Sequence, residues 1–346
     1  MPTADYDDFS SCFTILDRTI GPGNPTYIIA EAGVSHFGDL NLALELLNLA
    51  STSGANAFKI QLFDVEQLIA KSEPEWRERL RPRNLTFEEV SELKECCDKK
   101  GLAFLATAHD QSRIPWLKKL NVPAIKIGSG ERNNLIFIEQ LAELNLPIIL
   151  STGMYFESDI IETLNSLNSI KVKEVALLHC VTSYPAPDSD INLLAINRLQ
   201  KIFSGPVGYS DHTPDHLAIL SAVAKGANII EKHITIHRNI PNAQDWKVSA
   251  GPEDFPKLIS EIRRVESILG HGKKEAAPSE KEALVWATKS IVASHKMEAG
   301  QQLEFSDLSI KRPGKGTAPN RITEFIGKTL KRDVKADEFI LFEDIE

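Results

Sequence analysis

The sequence predicts an α/β fold, a (β/α)8 barrel followed by a small β-rich domain. Short apolar runs alternate eight times with helical stretches between residues 27 and 234, and beyond residue 286 the pattern changes to short strands and turns. The length of 346 residues fits a barrel of about 250 residues plus a small domain. We predict a barrel domain at 1–270, a linker at 271–286 and a β-rich domain at 287–346.

The eight predicted strands have the composition of strands that are buried on both faces. Runs such as YIIAEA and AFLATA are almost continuously apolar, as parallel strands covered by helices are. An open doubly wound sheet would carry a glycine-rich phosphate turn after its first strand, and EAGVSHFGD lacks the GxGxxG pattern. The strands are predicted at 27–31, 57–63, 103–107, 124–128, 147–152, 174–180, 207–211 and 228–234.

The segments between these strands are predicted to be amphipathic helices. In 39–53 the apolar residues Ala43, Leu46, Leu47 and Ala50 recur with helical spacing. Similar helices are predicted at 87–100 and 252–269. The charged stretch HGKKEAAPSEKEA that follows is typical of a linker or surface connection.

The C-terminal domain contains a weak internal repeat. The small, apolar and acidic positions of 299–308 recur 37 residues later, at 336–345. Two similar halves predict a pseudo-symmetric β-clip.

Composition excludes several classes of protein. Hydrophobic residues make up 42% and charged residues 25% of the chain, which excludes disordered, collagenous and coiled-coil proteins. Lysine and arginine (39) minus aspartate and glutamate (48) give a net charge of -9, and no basic stripe with interleaved aromatics is present, so we expect no nucleic-acid partner.

The start MPTADYDDFSSCF lacks a signal-peptide pattern and no apolar run reaches about 18 residues, so we expect a cytoplasmic protein without a membrane partner. The four cysteines form no CxxC pair, and no disulfide framework or zinc knuckle is predicted.

Polar residues gather at the carboxyl ends of the predicted strands, where barrel enzymes place their active sites. Charged side chains inside a barrel are costly unless a ligand or partner satisfies them. The candidates are Glu31, Lys59, Gln61, Thr107, Lys126, Ser129, Glu131, Ser151, His179, Tyr184, His212, Glu231 and His233.

One group of these residues predicts an anion pocket. Lys59 and Lys126, with hydroxyls from Thr107, Ser129 and Ser151, surround a Gly-Ser-Gly turn whose backbone amides can form an anion nest. Alternatively, each lysine simply extends out of a strand end and each serine closes a turn. Convergence of five such groups on one barrel end favours a phosphate or carboxylate pocket.

A second group predicts a metal site. His212 and His233 end neighbouring strands and could bind one divalent metal, with Asp211 and Glu231 near enough to orient the rings. His179 could complete a three-histidine site, so spacing leaves open which pair is used.

The remaining histidines and a cysteine are weaker candidates. His109, His216 and His237 lie past strand ends and are predicted to be loop or surface residues. Cys180 follows His179 and could form a nucleophile pair with it, but adjacent residues of a strand face opposite ways.

Several motifs in order resemble the sialic acid synthase family. These are YIIAEAGVSHFGD, FKIQLF, AIKIGSGERNN, PIILSTGM, LLHCVTSYPAP, GYSDHT and EKHITI, and KSIVA, AGQQLEFSDL and IKRPGKG resemble that family's antifreeze-like (SAF) domain. The resemblance covers essentially the whole chain. It implies condensation of phosphoenolpyruvate with an N-acetylated hexose to a nine-carbon 2-keto acid, with phosphate released by C–O cleavage.

The resemblance also implies roles for individual residues. Phosphoenolpyruvate would be held by Lys59, Thr107, Lys126, Ser129 and Ser151, and a divalent metal, most often Mn²⁺ with Mg²⁺ or Co²⁺ as alternatives, by His212 and His233. The sugar would be contacted by Gln61, Glu131, Tyr184, Asp245 and, across a domain-swapped homodimer, Arg312, with Glu31, Glu231 and His179 in support. Glu131, Lys126, His212 and His233 are the expected catalytic residues, and Glu131 or metal-bound water is the expected base.

The chain departs from the family's usual motifs around the sugar. The changes are Ser35-His36-Phe37-Gly38 for NHxG, Thr107-Ala108-His109 for TPF, Ala243-Gln244 for the Gly-Pro before Asp245, and Thr182 for a frequent asparagine. We therefore expect as acceptor either N-acetylmannosamine or a diacetamido-trideoxyhexose that leads to a legionaminic- or pseudaminic-type acid.

Other functions remain open from sequence. A Schiff-base aldolase on the same barrel would use Lys59 or Lys126 as an amine nucleophile, and a metal-dependent aldolase or hydrolase would use further metal ligands. A non-catalytic carbohydrate-binding or ice-binding protein is suggested only by the C-terminal domain. Polar groups at every strand end argue against that last class.

Overall fold

The chain folds into two units, Met1–Gly270 and His271–Glu346. The structure is a computed structural model that describes residues 8–240, 243 and 245–346. An antiparallel hairpin of β1 (Phe13–Ile15) and β2 (Arg18–Ile20) lies near the start of the described part of the first unit.

Eight parallel strands form the sheet of the first unit. The sheet order is β5-β4-β3-β10-β9-β8-β7-β6, and its two end strands lie side by side, which closes the barrel. This arrangement confirms the predicted (β/α)8 barrel. The strands are β3 (Tyr27–Gly33), β4 (Ala57–Leu62), β5 (Ala103–Ala108), β6 (Ile125–Ile127), β7 (Ile148–Ser151), β8 (Val175–Cys180), β9 (Val207–Asp211) and β10 (Ile229–His233).

Helices cover the outside of this sheet, and local sequence signals set their ends. The Asp39 side chain accepts a 2.8 Å hydrogen bond from the backbone N–H of Asn41 at the start of the first helix, which ends at Gly54 with a φ of +88°. Thr86 and Glu89 form a capping box on the fourth. The helices are α1 (Leu40–Ser53), α2 (Val65–Leu68), α3 (Pro74–Leu80), α4 (Phe87–Lys99), α5 (Ile114–Lys119), α6 (Leu135–Ala142), α7 (Glu157–Ser169), α8 (Asp188–Ile191), α9 (Leu194–Ile202), α10 (Leu217–Ala224) and α11 (Asp254–Leu269).

The N-terminal end of the barrel is closed by apolar side chains. Phe13, Ile15 and Ile20 of the hairpin pack against Tyr27 and Ile29 inside the barrel, and all five are buried. Inward-facing side chains alternate with outward-facing ones along each strand, and at this end of the barrel the inward-facing ones are apolar. The polar groups lie at the carboxyl ends of the strands.

The second unit has its own small core. After the short helix α12 (Ala283–Trp286), strand β11 (Ser290–Ala293) pairs antiparallel with β12 (Leu308–Lys311). A 3-10 turn, Pro278–Glu280, also lies in the predicted linker. The buried core comprises Ile291, Ala293, Met297, Leu303, Leu308, Phe325, Leu330, Val334, Ile340 and Ile345.

The sequence repeat has a structural counterpart in this unit. Gly300 and Asp337, 37 residues apart, both adopt a positive φ, +88° and +67°. Leu303 and Ile340 are both in the core, and each precedes a 3-10 turn, Phe305–Asp307 or Phe342–Asp344. Matching turns at matching positions support the two-fold β-clip pattern.

In the part of the chain that the structure describes, no helix has the length and apolar character needed to cross a membrane.

Candidate active site

A cavity of about 210 Å³ opens at the carboxyl ends of the barrel strands. It contains four charged side chains that are almost fully buried, two lysines and two glutamates. A larger cavity of about 770 Å³ lies at the opposite ends of β9 and β10, but its charged residues Lys225 and Glu266 are part-exposed and do not converge. The smaller cavity is therefore the candidate site. The predicted residues that line it are Glu31, Lys59, Gln61, Thr107, Lys126, Ser129, Ser151, Tyr184, His212, Glu231 and His233.

Lys59 lies between two buried carboxylates. Its Nζ is 2.8 Å from Glu31 Oε2 and 3.6 Å from Glu231 Oε2, and it donates a 3.3 Å hydrogen bond to Thr107 Oγ1. Burial lowers the pKa of Lys59, but Glu231 and Glu31 outweigh burial and leave it raised. Lys59 is therefore held as a cation.

Lys126 lies on the other side of Glu231. Its Nζ donates to Ser151 Oγ at 2.7 Å and to the Ile127 carbonyl at 3.2 Å, and lies 3.6 Å from Glu231 Oε1. Burial lowers the pKa of Lys126. Burial also raises the pKa of Glu231, but Lys126 and Lys59 outweigh it and hold that pKa at about 2. Two lysines therefore share one firmly ionised carboxylate and can turn towards an added anion.

The fourth charged group, Glu31, behaves differently. Burial raises its pKa more than Lys59 lowers it. Its Oε1 accepts a 3.0 Å hydrogen bond from Gln61 Nε2, which fixes the amide at the cavity wall.

The Gly128–Gly130 turn closes the anion side of the cavity. Ser129 Oγ accepts a 2.9 Å hydrogen bond from the backbone N–H of Gly153, so its own hydroxyl hydrogen remains available to a ligand. A Cβ on Gly153 would lie 2.3 Å from Thr182 Oγ1 and 2.8 Å from Ser129 Oγ. Only glycine allows this close approach.

The rings of His212 and His233 lie beside each other at the cavity wall, with centroids 5.4 Å apart and planes tilted by 45°. His212 Nδ1 lies 2.6 Å from the Val181 carbonyl oxygen, and because a carbonyl only accepts, Nδ1 must hold the hydrogen. Its Nε2 is then unprotonated in the neutral ring. Burial lowers the pKa of His212, but contacts to Cys180 and to that carbonyl outweigh burial and leave it raised.

His233 supplies the second imidazole. Burial lowers its pKa to about 3, so the ring is neutral at neutral pH. Its Nδ1 is buried without a hydrogen-bond partner among the described atoms. A neutral imidazole that has an unpartnered nitrogen and lies next to the His212 ring is suited to bind a metal ion together with that ring. Within the described ranges, no group of three or more His, Cys, Asp or Glu side chains is placed to hold a metal ion.

Tyr184 and His179 occupy different sides of this region. The Tyr184 ring lies 4.1 Å from the His212 ring and 5.8 Å from the His233 ring, so it shields the pair. His179 lies on the outer side of β8, stacked on Tyr209, with its Nε2 2.7 Å from the Ile191 carbonyl. The structure therefore does not bring His179 to the other two histidines.

Three of the residues predicted to contact the sugar do not line the cavity, namely Glu131, Asp245 and Arg312. Glu131 is buried and accepts a 2.8 Å hydrogen bond from Asn134 Nδ2, and burial raises its pKa. Asp245 begins a 3-10 turn, Asp245–Lys247, and acts electrostatically on His233. The substituted residue Gln244 lies outside the described residues.

Arg312 belongs to the second unit. It is exposed there, with its guanidinium 5.7 Å from the Trp286 ring. Its role across a dimer stays a prediction.

The sequence analysis did not place Ser210 in the site and gave His109 a different position. His109, predicted to be a loop or surface residue, lines the cavity, and burial with Lys59 and Lys126 lowers its pKa to about 4. Strand β5 extends past its predicted end at Thr107, and His109, which follows the strand, places its ring at the mouth of the barrel. Ser210, Cys180 and Thr182 also line it. Strand alternation could have found Ser210, which donates a 2.9 Å hydrogen bond to Glu231.

The structure also shows the positions of Cys180, His216 and His237. Cys180 faces the cavity, 3.7 Å from His212 Nδ1, while His179 faces outwards, so the two do not form a nucleophile pair. His216 pairs with Glu261 at 2.7 Å, and His237 is exposed.

Two family models and several known proteins match this chain. A model described as the NeuB family matches residues 46–274, and one described as the SAF domain matches 288–346. An N,N'-diacetyllegionaminic acid synthase of Campylobacter jejuni is 38% identical and aligns with 91% of this chain and 98% of its own length. The protein of the same name from Legionella pneumophila is 36% identical, with 94% and 96% covered. A crystal structure of an N-acetylneuraminic acid (sialic acid) synthetase from Leptospira borgpetersenii, in complex with citrate, is 39% identical with a TM-score of 0.75, covering 80% of this chain and 95% of that one.

Proposed function

The chain belongs to the NeuB family, and on that premise we propose that it condenses phosphoenolpyruvate with an N-acetylated hexose to give a nine-carbon 2-keto sugar acid and phosphate. Two buried lysines with hydroxyl partners and two imidazoles line one small cavity, and this observation supports the proposal most strongly. The names of its relatives, nonulosonic acid synthases, support the same reaction.

The lysine side of the cavity suits phosphoenolpyruvate. Lys126 with Ser151, and Lys59 with Thr107, offer cationic and hydroxyl donors to its phosphate and carboxylate. Ser129 and the backbone of its turn add further donors. Glu231 lies 3.6 Å from both lysines and partly compensates their buried charge when no anion is bound, since an unpaired buried charge would be costly.

The histidine side suits the acceptor aldehyde. His212 and His233 would hold a divalent metal, for which we propose Mn²⁺ with Mg²⁺ or Co²⁺ as alternatives, and which would supply Lewis acidity to the aldehyde oxygen. Tyr184 packs against both rings. Gln61, held by Glu31, presents an amide to the sugar hydroxyls.

The bonds change in a defined order. C3 of phosphoenolpyruvate attacks the aldehyde carbon, and the aldehyde oxygen takes up a proton to become a hydroxyl. Water adds at C2 of the resulting oxocarbenium ion and loses one proton. Cleavage of the bond between C2 and the phosphate oxygen then releases phosphate, which takes up the second proton as C2 becomes the ketone carbon. Lys59 and Lys126 neutralise the phosphate as it leaves. Glu131, with a pKa raised by burial, is the proposed acceptor of the proton from that water, a role for which its carboxylate must turn from Asn134 towards the cavity.

The proposed acceptor is a diacetamido-trideoxyhexose. Two relatives more than 35% identical are named as diacetyllegionaminic acid synthases. Thr182 lines the cavity at a position where a frequent family asparagine is replaced. N-acetylmannosamine is the competing acceptor, in line with the Leptospira relative, which is named an N-acetylneuraminic acid synthetase.

Arg312 would complete the sugar site from a second subunit, in a homodimer with exchanged SAF domains. Its exposure and the nearby Trp286 ring are consistent with a contact surface. We place the reaction in the cytoplasm, where phosphoenolpyruvate is made.

Phosphate release from phosphoenolpyruvate tests the proposal. Metal-stripped protein, with and without added Mn²⁺, is mixed with N-acetylmannosamine, its 6-phosphate, and 2,4-diacetamido-trideoxyhexoses of manno and altro configuration. We expect Mn²⁺-dependent release with a diacetamido sugar, and a nonulosonic acid of matching mass. Folded, metal-loaded protein that releases no phosphate with any acceptor contradicts the proposed reaction.

One observation favours a second candidate, a Schiff-base aldolase. Burial lowers the pKa of Lys126, which is the direction that activates an amine nucleophile. Borohydride reduction in the presence of pyruvate would trap an imine on Lys126 in such an enzyme. We expect no mass increase, since the proposed condensation forms no imine.

A further inference from the structure

A buried ion pair lies directly behind the two histidines. Asp211 precedes His212 and Lys232 precedes His233, and the two residues are paired in register on β9 and β10. Lys232 Nζ is 2.5 Å from Asp211 Oδ2, and the side chains are 1% and 0% exposed. The pair is therefore among the most deeply buried charges of the described chain.

The pair faces away from the cavity. Along β10, Ile230 packs in the layer between barrel and helices, and Lys232, two residues later, points the same way. Tyr209 and Asp211 follow the same pattern on β9. Neither charged residue lines the cavity. They cannot contact a substrate there, so any effect on the reaction must pass through their neighbours.

Thr213 links the two charges to the segment that follows β9. Its Oγ1 donates to both carboxylate oxygens of Asp211, at 2.9 and 3.0 Å. Its carbonyl accepts a 2.6 Å hydrogen bond from Lys232 Nζ. The residues on either side of His212 are thus fixed to the residue before His233. We call Asp211, Thr213 and Lys232 the clamp.

Packing alone gives no reason for charges at this place. Removing two charges from water is costly, and apolar side chains of similar size would fill the layer without that cost. What the ion pair adds is a fixed, directional link between the two strand ends. The clamp thus determines how β9 and β10 present their histidines.

We propose that the clamp positions His212 and His233 relative to each other and thereby sets the affinity of the site for a divalent cation. The inference rests on the proposed metal-binding role of the two histidines. Outer partners that hold metal ligands in place typically change metal affinity by about 10- to 100-fold when they are removed. Asp211, Thr213 and Lys232 are accordingly positioning residues.

The test measures Mn²⁺ affinity of the metal-stripped full chain by calorimetry and by electron paramagnetic resonance. The double variant Asp211→Asn/Lys232→Met removes both charges together and leaves no unpaired one. We expect its Kd for Mn²⁺ to rise about 10- to 100-fold, while its affinity for phosphoenolpyruvate without metal stays within about twofold. A Kd for Mn²⁺ within twofold of wild type, in folded protein, overturns the inference.

Two controls separate positioning from general stability. Leu164→Ala removes a buried side chain on α7, away from both histidine strands, and should lower the melting temperature without weakening Mn²⁺ binding. Lys232→Arg keeps the charge and should retain most of the affinity. If Leu164→Ala weakens Mn²⁺ binding as much as the double variant does, the clamp has no specific role.

A failed clamp and a failed metal site give different results. If wild type binds no Mn²⁺, both the metal role and the clamp inference are wrong. If wild type binds Mn²⁺, His233→Asn does not, and the double variant equals wild type, only the clamp inference is wrong. Should the double variant not fold, Thr213→Val takes its place, because it removes both hydrogen bonds to Asp211 with little change in shape. We expect a smaller loss, about threefold to tenfold, and no loss would overturn the inference.

Discussion

Lys126 and Ser151 join neighbouring barrel strands by a 2.7 Å hydrogen bond from Nζ to Oγ inside the cavity. The bond fixes the direction of a buried ammonium at the centre of the proposed anion pocket. Ser151 cannot neutralise that charge, and Glu231, the nearest carboxylate, is 3.6 Å away. An anion that enters the cavity therefore meets a pre-oriented cation.

Replacement of Lys126 should remove most of the affinity for phosphoenolpyruvate. We expect Lys126→Met to weaken binding by about 100-fold or more, because it removes the buried positive charge that would contact the anion. Ser151→Ala, which removes only a hydrogen bond, should cost about tenfold. Calorimetric titration measures both. Lys94→Met, on the outside of α4, serves as control, and unchanged binding by Lys126→Met would contradict the assigned pocket.

Gly153 should not tolerate a methyl group. Its Cβ would meet Thr182 Oγ1 at 2.3 Å and Ser129 Oγ at 2.8 Å, so both side chains must shift from their positions at the cavity wall. We expect Gly153→Ala to lower kcat/KM at least tenfold and to lower the melting temperature. Gly130→Ala is the matched control for stability, because its Cβ would meet nothing within 4 Å. Equal melting temperatures for the two variants would show that the close approach is unimportant.

Acid should destabilise the protein partly through His36. Its Nδ1 accepts the Gly38 N–H at 3.1 Å and burial lowers its pKa from 6.5 to about 4. Between these pH values the unfolded chain binds the proton and the folded chain does not, so stability falls as pH falls. The slope from this group is about 1.4 kcal/mol per pH unit.

Urea unfolding at pH 7, 6 and 5 measures that slope. His36→Gln cannot take up the proton, and we expect its unfolding free energy to depend less steeply on pH than that of wild type. Parallel slopes for the two proteins would show that His36 is not the group responsible.

Arg312 should affect the acceptor and leave phosphoenolpyruvate alone. If it reaches a neighbouring subunit's cavity, Arg312→Ala should raise the KM for the acceptor about tenfold or more, with the KM for phosphoenolpyruvate within twofold. Steady-state kinetics for both substrates check this. Wild-type kinetics with every acceptor would show that Arg312 has no role at the sugar.

The main features of the barrel could be predicted because each follows from a local pattern. Continuous apolar runs mark strands buried on both faces, and their polar carboxyl ends place Lys59, Lys126, His212 and His233 at one mouth. The hairpin of β1 and β2 was missed, since its alternation extends over only three residues in each strand. Such a pattern is too short to distinguish from a loop.

Side-chain direction beyond a strand end could not be predicted. His109 returns into the cavity, whereas Glu131 turns towards Asn134, and both depend on the path of a loop. Loop paths are set by tertiary contacts that no periodic pattern encodes. The sequence analysis predicts that Asp211 orients the histidine rings, but its partners Lys232 and Thr213 in the clamp could not be predicted, because strand register decides which side chains meet.

The most direct test of the proposed reaction uses phosphoenolpyruvate labelled with ¹⁸O in the bridge between C2 and phosphorus. It is incubated with the Mn²⁺-loaded full chain and the 2,4-diacetamido-trideoxyhexose of manno configuration, and both products are analysed by mass spectrometry. We expect a nine-carbon 2-keto acid without the label and inorganic phosphate that contains it, as C–O cleavage requires. Label retained in the sugar acid, or pyruvate formed in place of a condensation product, would contradict the proposed reaction.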